Sequence, residues 1–242
     1  MGAWRDRDTL QAAMARLNEV MAERGRLRAG ERLLDVGSGN GAAPIYLATA
    51  HGCEVTGLNL SERENEVARR RAEEEGVADR VEIRHGDFHD LPFPDASFDV
   101  VWSQESLLHA VDKRGVLEEC LRVLRPGGRL VLSDLLMRRH VTDPERAELY
   151  SRVGTPEMWD FADYQDALRA AGFELIDADD WTDHVAPTYG AVRSALLERR
   201  GELAGVVPDE QIERTVAALQ KWVDAGRADK ISHGFFLARR PA

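Results

Sequence analysis

Asp35, Gly37, Gly39 and Gly41 stand together in the stretch Leu33-Leu34-Asp35-Val36-Gly37-Ser38-Gly39-Asn40-Gly41. A short apolar run ends in a carboxylate and turns at once into alternating glycines, after which a helix is expected from Ala42 to His51. In a strand–turn–helix unit such glycines let a ligand lie against bare backbone, because no Cβ intervenes. Gly37-x-Gly39-x-x-Ala42 satisfies the dinucleotide fingerprint. Asp35 followed by Gly37-x-Gly39-x-Gly41 satisfies its S-adenosylmethionine counterpart. The carboxylate favours the second ligand, since it repels a pyrophosphate and suits a molecule carrying an ammonium and a sulfonium.

Further candidates sit at the ends of the other apolar runs. Asn59 and Leu60 close Gly57-Leu58-Asn59-Leu60-Ser61, where a polar side chain reaches ribose hydroxyls; shaping the turn is the plainer role of Asn59 and is compatible with it. Gly86-Asp87-Phe88 ends the next run, offering a carboxylate to an adenine amino group and an aromatic face to the ring. Gln104, Glu105 and His109 follow the fourth run, and Asp134 ends the fifth. Neighbouring strands lie ~4.8 Å apart, so His109 and Asp134 are expected to meet above the sheet edge, the carboxylate orienting the imidazole as a general base. If residues 105–109 form a helical turn, Glu105 and His109 share a face at i,i+4. The competing reading of His109 is a capping or core histidine.

The elements that position these residues alternate. Leu10, Met14, Leu17 and Met21 recur at helical spacing, so residues 5–25 read as an amphipathic helix. Strands are expected over residues 31–36, Glu54–Leu60, Val81–His85, Phe98–Ser103 and Arg129–Leu135. Ser61-x-x-Glu64 reads as a capping box opening a helix that stops at Gly76, and Lys113–Leu124 reads as another helix. Alternation over more than a hundred residues is the signature of a doubly wound parallel sheet. Helices are expected over Pro144–Val153, Phe161–Ala171, 185–205 and 209–225, with strands at Phe173–Asp179 and Ile231–Ala238. One domain spanning 1–242 is the expectation: an N-terminal helix (1–30), a ligand-binding core (31–135), substrate-side helices with the sixth strand (136–230), and the last strand (231–239).

Composition narrows the function. A net charge of −11 argues against a nucleic-acid or anionic-membrane surface. No apolar run approaches the ~20 residues of a membrane span, and the N-terminus lacks a signal-peptide core. Cys53 and Cys120 are too few for a disulfide framework or a metal cluster, and the seven histidines are not expected to form a metal-ligand set. A reduced, cytoplasmic protein without a metal is the expectation.

LLDVGSGNG, GLNLSERE, HGDFHDLPF, SFDVVWSQESLLHA and VLRPGGRLVLSD together resemble the class I S-adenosylmethionine-dependent small-molecule methyltransferases, over residues 33–134 and in the same order. Trp222-Val223-Asp224-Ala225-Gly226-Arg227-Ala228, Asn59 and WSQES are similar to the sarcosine and dimethylglycine N-methyltransferases. The layout also resembles the sugar O-methyltransferases of natural-product pathways, in which a His and an Asp matching His109 and Asp134 act as a base dyad. In the phosphoethanolamine N-methyltransferases an acid and a His match Glu105 and His109. The resemblance implies an α/β, Rossmann-like, doubly wound seven-stranded sheet, mostly parallel with an antiparallel last strand, and a helical cap. It implies S-adenosylmethionine as cofactor, lined by Asp35, Gly37, Asn59, Asp87, Phe88 and Gln104, and a small-molecule acceptor; a homo-oligomer is possible. Two departures stand out. Only Gly2-Ala3-Trp4 stands where these enzymes carry a longer lid, which is then shortened, or supplied by residues 140–160 or a partner chain. His184–Tyr189 lacks the paired histidines of the sarcosine enzymes, which leaves nitrogen and oxygen acceptors both open.

Two other classes compete. A short-chain NAD oxidoreductase wants Tyr-x-x-x-Lys, and none of Tyr46, Tyr150, Tyr164 and Tyr189 has Lys four residues on. A non-methylating, repurposed cofactor-binding protein such as a cyclase is the other. Met137, Met158, Trp159, Trp181 and Tyr189 are candidates to line the acceptor pocket, although each fits core packing equally well; Arg138, Arg139 and Arg193 are candidates to meet a carboxylate or phosphate, but solvated surface arginines are the stronger reading.

Overall fold

The computed structural model describes residues 1–6 and 8–242. Its elements, in chain order, are α1 (Leu10–Arg24), β1 (Arg32–Val36), α2 (Ala42–His51), β2 (Glu54–Asn59), α3 (Glu62–Glu74), β3 (Val81–His85), β4 (Phe98–Gln104), α4 (Lys113–Val123), β5 (Leu124–Met137), α5 (Asp143–Val153), α6 (Phe161–Ala170), β6 (Glu174–Asp180), α7 (Val185–Glu198), α8 (Asp209–Arg227) and β7 (Ile231–Arg239). Every expected element is present within a few residues, except that α7 stops at Glu198 and the chain completes a separate 3-10 turn at Arg200–Leu203. Arg7, at the expected start of the first helix, lies outside the described residues.

The seven strands order as β3-β2-β1-β4-β5-β7-β6. The first five are parallel, and β7 inserts antiparallel between β5 and β6, placing Asp134 opposite Gly234. Sequence explains the parallel core: Leu33, Leu34, Asp35 and Val36 are all buried, as a strand covered on both faces requires. Alternate residues feed two cores. Leu34, Val36, Val101, Leu132 and Phe236 pack with Tyr164 of α6 and Val116 and Leu117 of α4. Leu33, Val100, Trp102, Val131 and Phe235 pack with Leu17 and Met21 of α1 and Leu47 of α2. Fully burying Leu17 and Met21 contributes roughly 1.5–3 kcal/mol each, which fixes α1 over the sheet. The strand order reverses direction between β1 and β4, so a crevice opens beyond their carboxyl ends.

Candidate active site

Beyond the carboxyl ends of β1 and β4 lie two adjoining cavities of about 530 Å³ each, which share Gly37, Gly39, Glu64 and Glu105 as walls. The first is lined also by Asp35, Ser38, Asn40, Ala42, Ala43, Gln104 and residues of α1. The second is lined by Asn59, Leu60, Gly86, Asp87, Phe88, His89, Ser106, His109 and Val111. Of the twelve residues expected from sequence, ten therefore line one crevice. Gly41 and Asp134 do not.

The three glycines of the loop divide their work. Gly39 is at φ +51° with nothing within 4 Å of where a Cβ would project, so its bare face is open to the cavity. Gly37 and Gly41 serve close packing instead: a side chain at Gly37 would strike Ser106, and one at Gly41 would lie 2.7 Å from the Ala68 Cβ of α3. Ser106 locks this arrangement by donating to the Val36 carbonyl at 2.6 Å while meeting Ser103 Oγ at 2.8 Å. Gly41 packs against α3 and lies outside the lining of both cavities.

Asp35 is 2% exposed and, among the described residues, its carboxylate has no side-chain or backbone partner. Burial pushes its pKa up to about 8. Asp87 is exposed, and the His89 backbone and ring hold it below the ordinary carboxylate range, the His89 amide donating at 2.9 Å to Oδ1, which lies 2.7 Å from Nδ1 of the ring. Phe88 packs beside His89, ring centroids 4.9 Å apart.

The chemistry-bearing groups are not arranged as the sequence suggests. Asp134 is fully buried, and its carboxylate is taken by the Tyr164 hydroxyl and by the Leu135 amide at 3.0 Å. Burial raises its pKa to about 7, against the bond from Tyr164 and the nearby Lys113 ammonium. His109 is not held by it. Alternation along β5 puts Asp134 on the α6 side of the sheet, where Tyr164 claims it first. Nor do Glu105 and His109 share a helical face: Glu105 is at φ +56°, and only Leu107–His109 form a single 3-10 turn. Glu105 instead faces Nε2 of the buried His233 at 3.3 Å and the Met1 ammonium at 2.5 Å; burial raises its pKa, but the ammonium, with the imidazole beside it, outweighs this and holds the carboxyl at about 2. The His109 ring is open to the second cavity. Partial burial of its inner side, with the Lys113 ammonium behind it, lowers its pKa.

The methyltransferase domain family matches residues 34–132. A sarcosine/dimethylglycine N-methyltransferase of Halorhodospira halochloris is 38% identical over 241 residues, covering 97% of this chain and 85% of that protein. The chain belongs to the S-adenosylmethionine-dependent methyltransferases. A 27-O-demethylrifamycin SV methyltransferase of Amycolatopsis mediterranei is 37% identical to this methyltransferase over 247 residues, covering 99% of it and 89% of the relative. Among solved structures, a candidate sarcosine dimethylglycine methyltransferase from Galdieria sulphuraria superposes with a TM-score of 0.92 at 26% identity, covering 99% and 92% of the two chains.

The crevice of the methyltransferase fits its cofactor. A buried, unpartnered carboxylate at Asp35 suits an ammonium, the bare face of Gly39 leaves room for close approach, and the N-terminus of α2 favours a carboxylate through its aligned dipoles. Among the polar residues lining the second cavity, Glu64, His89 and Ser106 escaped the sequence reading. Glu64 was hidden by its capping-box position, and the other two lie beside residues already singled out. Of the three arginines considered for an acidic acceptor, two are committed elsewhere: Arg138 pairs with Asp180 and Asp229, and Arg139 with Asp163, while the Nε of Arg193 is buried without a partner among the described residues. Met137, Met158 and Tyr189 pack with Leu135 and Trp222 in a third apolar cluster on the side of α5, α7 and α8, while Trp181 stacks on Phe235.

Proposed function

We propose that this methyltransferase acts on a nitrogen or oxygen of a small-molecule acceptor, with His109 as the general base. The single observation that carries the reading is the placement of His109: its ring opens onto the cavity wall shared with Gly37 and Glu105, and its lowered pKa keeps the imidazole neutral at neutral pH. S-adenosylmethionine, when bound, supplies a methyl group already activated by a sulfonium. The chain's task is to position the acceptor, with reacting atoms ~3–3.5 Å apart, and to remove its proton. A neutral imidazole takes the proton of a hydroxyl or of an ammonium, whichever the acceptor carries. Asp35 and the first turn of α2 bind the charged amino-acid end of the cofactor, and Phe88 with Asp87 the adenine. Glu105, ionised throughout the neutral range, stands paired with the Met1 ammonium at the junction of the two cavities.

A panel of amines, sugars and phenols assayed with methyl-labelled cofactor tests this. The expected result is label on a small-molecule nitrogen or oxygen, with S-adenosylhomocysteine released only when an acceptor is present. Cofactor binding without label transfer to any acceptor would favour the repurposed, non-methylating reading instead.

A further inference from the structure

A third cavity, of about 450 Å³, lies between α5 and α8 and shares no lining residue with the two cavities of the crevice. Ala217 and Trp222 form part of its apolar wall. Its charged lining sets three cations, Arg152, Arg214 and Lys221, against one acid, Glu148, in a chain whose net charge is −11. Lys221 takes Glu148. Among the described residues Arg214 meets only Glu210, at 3.6 Å with both side chains exposed, a contact that contributes little.

Arg152 pairs with no carboxylate among the described residues. Its guanidinium carbon stands 4.6 Å from the ring centroid of Tyr189 and 4.9 Å from that of Trp222. Aromatic rings take a guanidinium by its flat face and leave its N–H edge for an acceptor in the plane. Arg152 is thus an oriented donor rather than a freely moving surface cation. Trp222 is 1% exposed, and its indole N–H has no acceptor among the described residues. A buried donor left without a partner is rare and costly, and this one belongs to a residue of the cavity wall.

We propose that this cavity binds a small carboxylate with an apolar body, the carboxylate held by Arg152 and Arg214 and the body laid against Ala217 and Trp222. The volume is that of a small-molecule site. A neutral ligand would leave the guanidinium groups unanswered, and a bare oxyanion would leave the apolar wall wet. Bound there, the anion bridges α5 to α8. The site stands apart from the crevice and does not depend on the reaction proposed above.

Calorimetric titration of benzoate into the protein saturated with S-adenosylhomocysteine tests it. Benzoate should bind at a single site, and benzamide and inorganic phosphate at least about tenfold more weakly. Arg152→Met should weaken benzoate roughly 10- to 100-fold. Arg152 also packs the cap, so two exposed positions on α8 carry the same test without touching the core. Arg214→Glu should weaken benzoate about tenfold. Ala217→Trp, which fills the cavity, should abolish its binding. Both should keep the melting temperature and the S-adenosylhomocysteine affinity of the parent. A wild type that binds no benzoate, equal affinity for benzamide, or binding that Ala217→Trp leaves unchanged would overturn the proposal. Benzoate that binds only when S-adenosylhomocysteine is left out occupies the crevice, and contradicts it as well.

Discussion

At the scale of single residues, Asp35 is the carboxylate proposed to meet the ammonium of the cofactor. A carboxyl with its pKa pushed up to about 8 is protonated in the empty protein at neutral pH, and a cationic ligand must draw that proton off. Affinity for S-adenosylmethionine should therefore rise by up to about tenfold per pH unit below 8 and level off above it. Titration calorimetry from pH 6 to 9 checks this, and Asp35→Asn should bind weakly with no such slope. Asp134 has a different part. Its carboxylate holds Tyr164 rather than the imidazole, so Tyr164→Phe should cost about 1–3 kcal/mol in denaturant unfolding and leave the pH profile of turnover unmoved. Asp35 and Gly39 were legible in the sequence because their neighbours in space are their neighbours in the chain. The partner of Asp134 was not, since Tyr164 arrives from thirty residues downstream on a helix whose seat over β5 no periodicity reveals.

At the scale of elements, the turn carrying His109 is fastened by one buried cation. Lys113 is 3% exposed, and its Nζ donates to the carbonyls of Leu108 at 3.4 Å, Ala110 at 3.1 Å and Glu157 at 2.7 Å. It closes the 3-10 turn at Leu107–His109 and ties it to the segment leading into α6. Lys113→Met takes one donor from each carbonyl, leaving Leu108 and Glu157 to share the Thr155 hydroxyl, and should destabilise by about 1–3 kcal/mol. Loss of the charge should also let the His109 pKa rise, moving the acid limb of kcat/KM to higher pH. Helices and strands were readable from period and caps, but this turn was not: Glu105 at a positive φ breaks the i,i+4 relation that spacing alone suggests.

At the scale of the molecule, two buried carboxyls and a part-buried one oppose one another in the pH dependence of stability. Asp35 and Asp134 titrate above their ordinary range, near 8 and 7, so the folded state holds their protons while the unfolded chain has released them. Stability should fall as pH rises from about 4 to 8. Glu105, held at about 2, contributes stability that is present above pH 4.5 and lost as pH falls toward 2. Thermal melting across this range should show a maximum near pH 4–5, and bound cofactor should flatten the alkaline decline. The fold itself was written plainly, in the alternation from β1 to β5; the antiparallel β7 was implied by resemblance rather than by pattern, because a strand's direction leaves no mark on its composition. In the proposed reaction His109 is the group that takes the acceptor's proton. The most direct measurement is the pH profile of kcat/KM for the wild type and His109→Ala at saturating cofactor. The wild type should show a single acid limb with its midpoint below 6.5; the variant should lose that limb and fall about 10²- to 10⁴-fold, with cofactor affinity intact. Wild-type turnover in His109→Ala, with the acid limb in place, would contradict it.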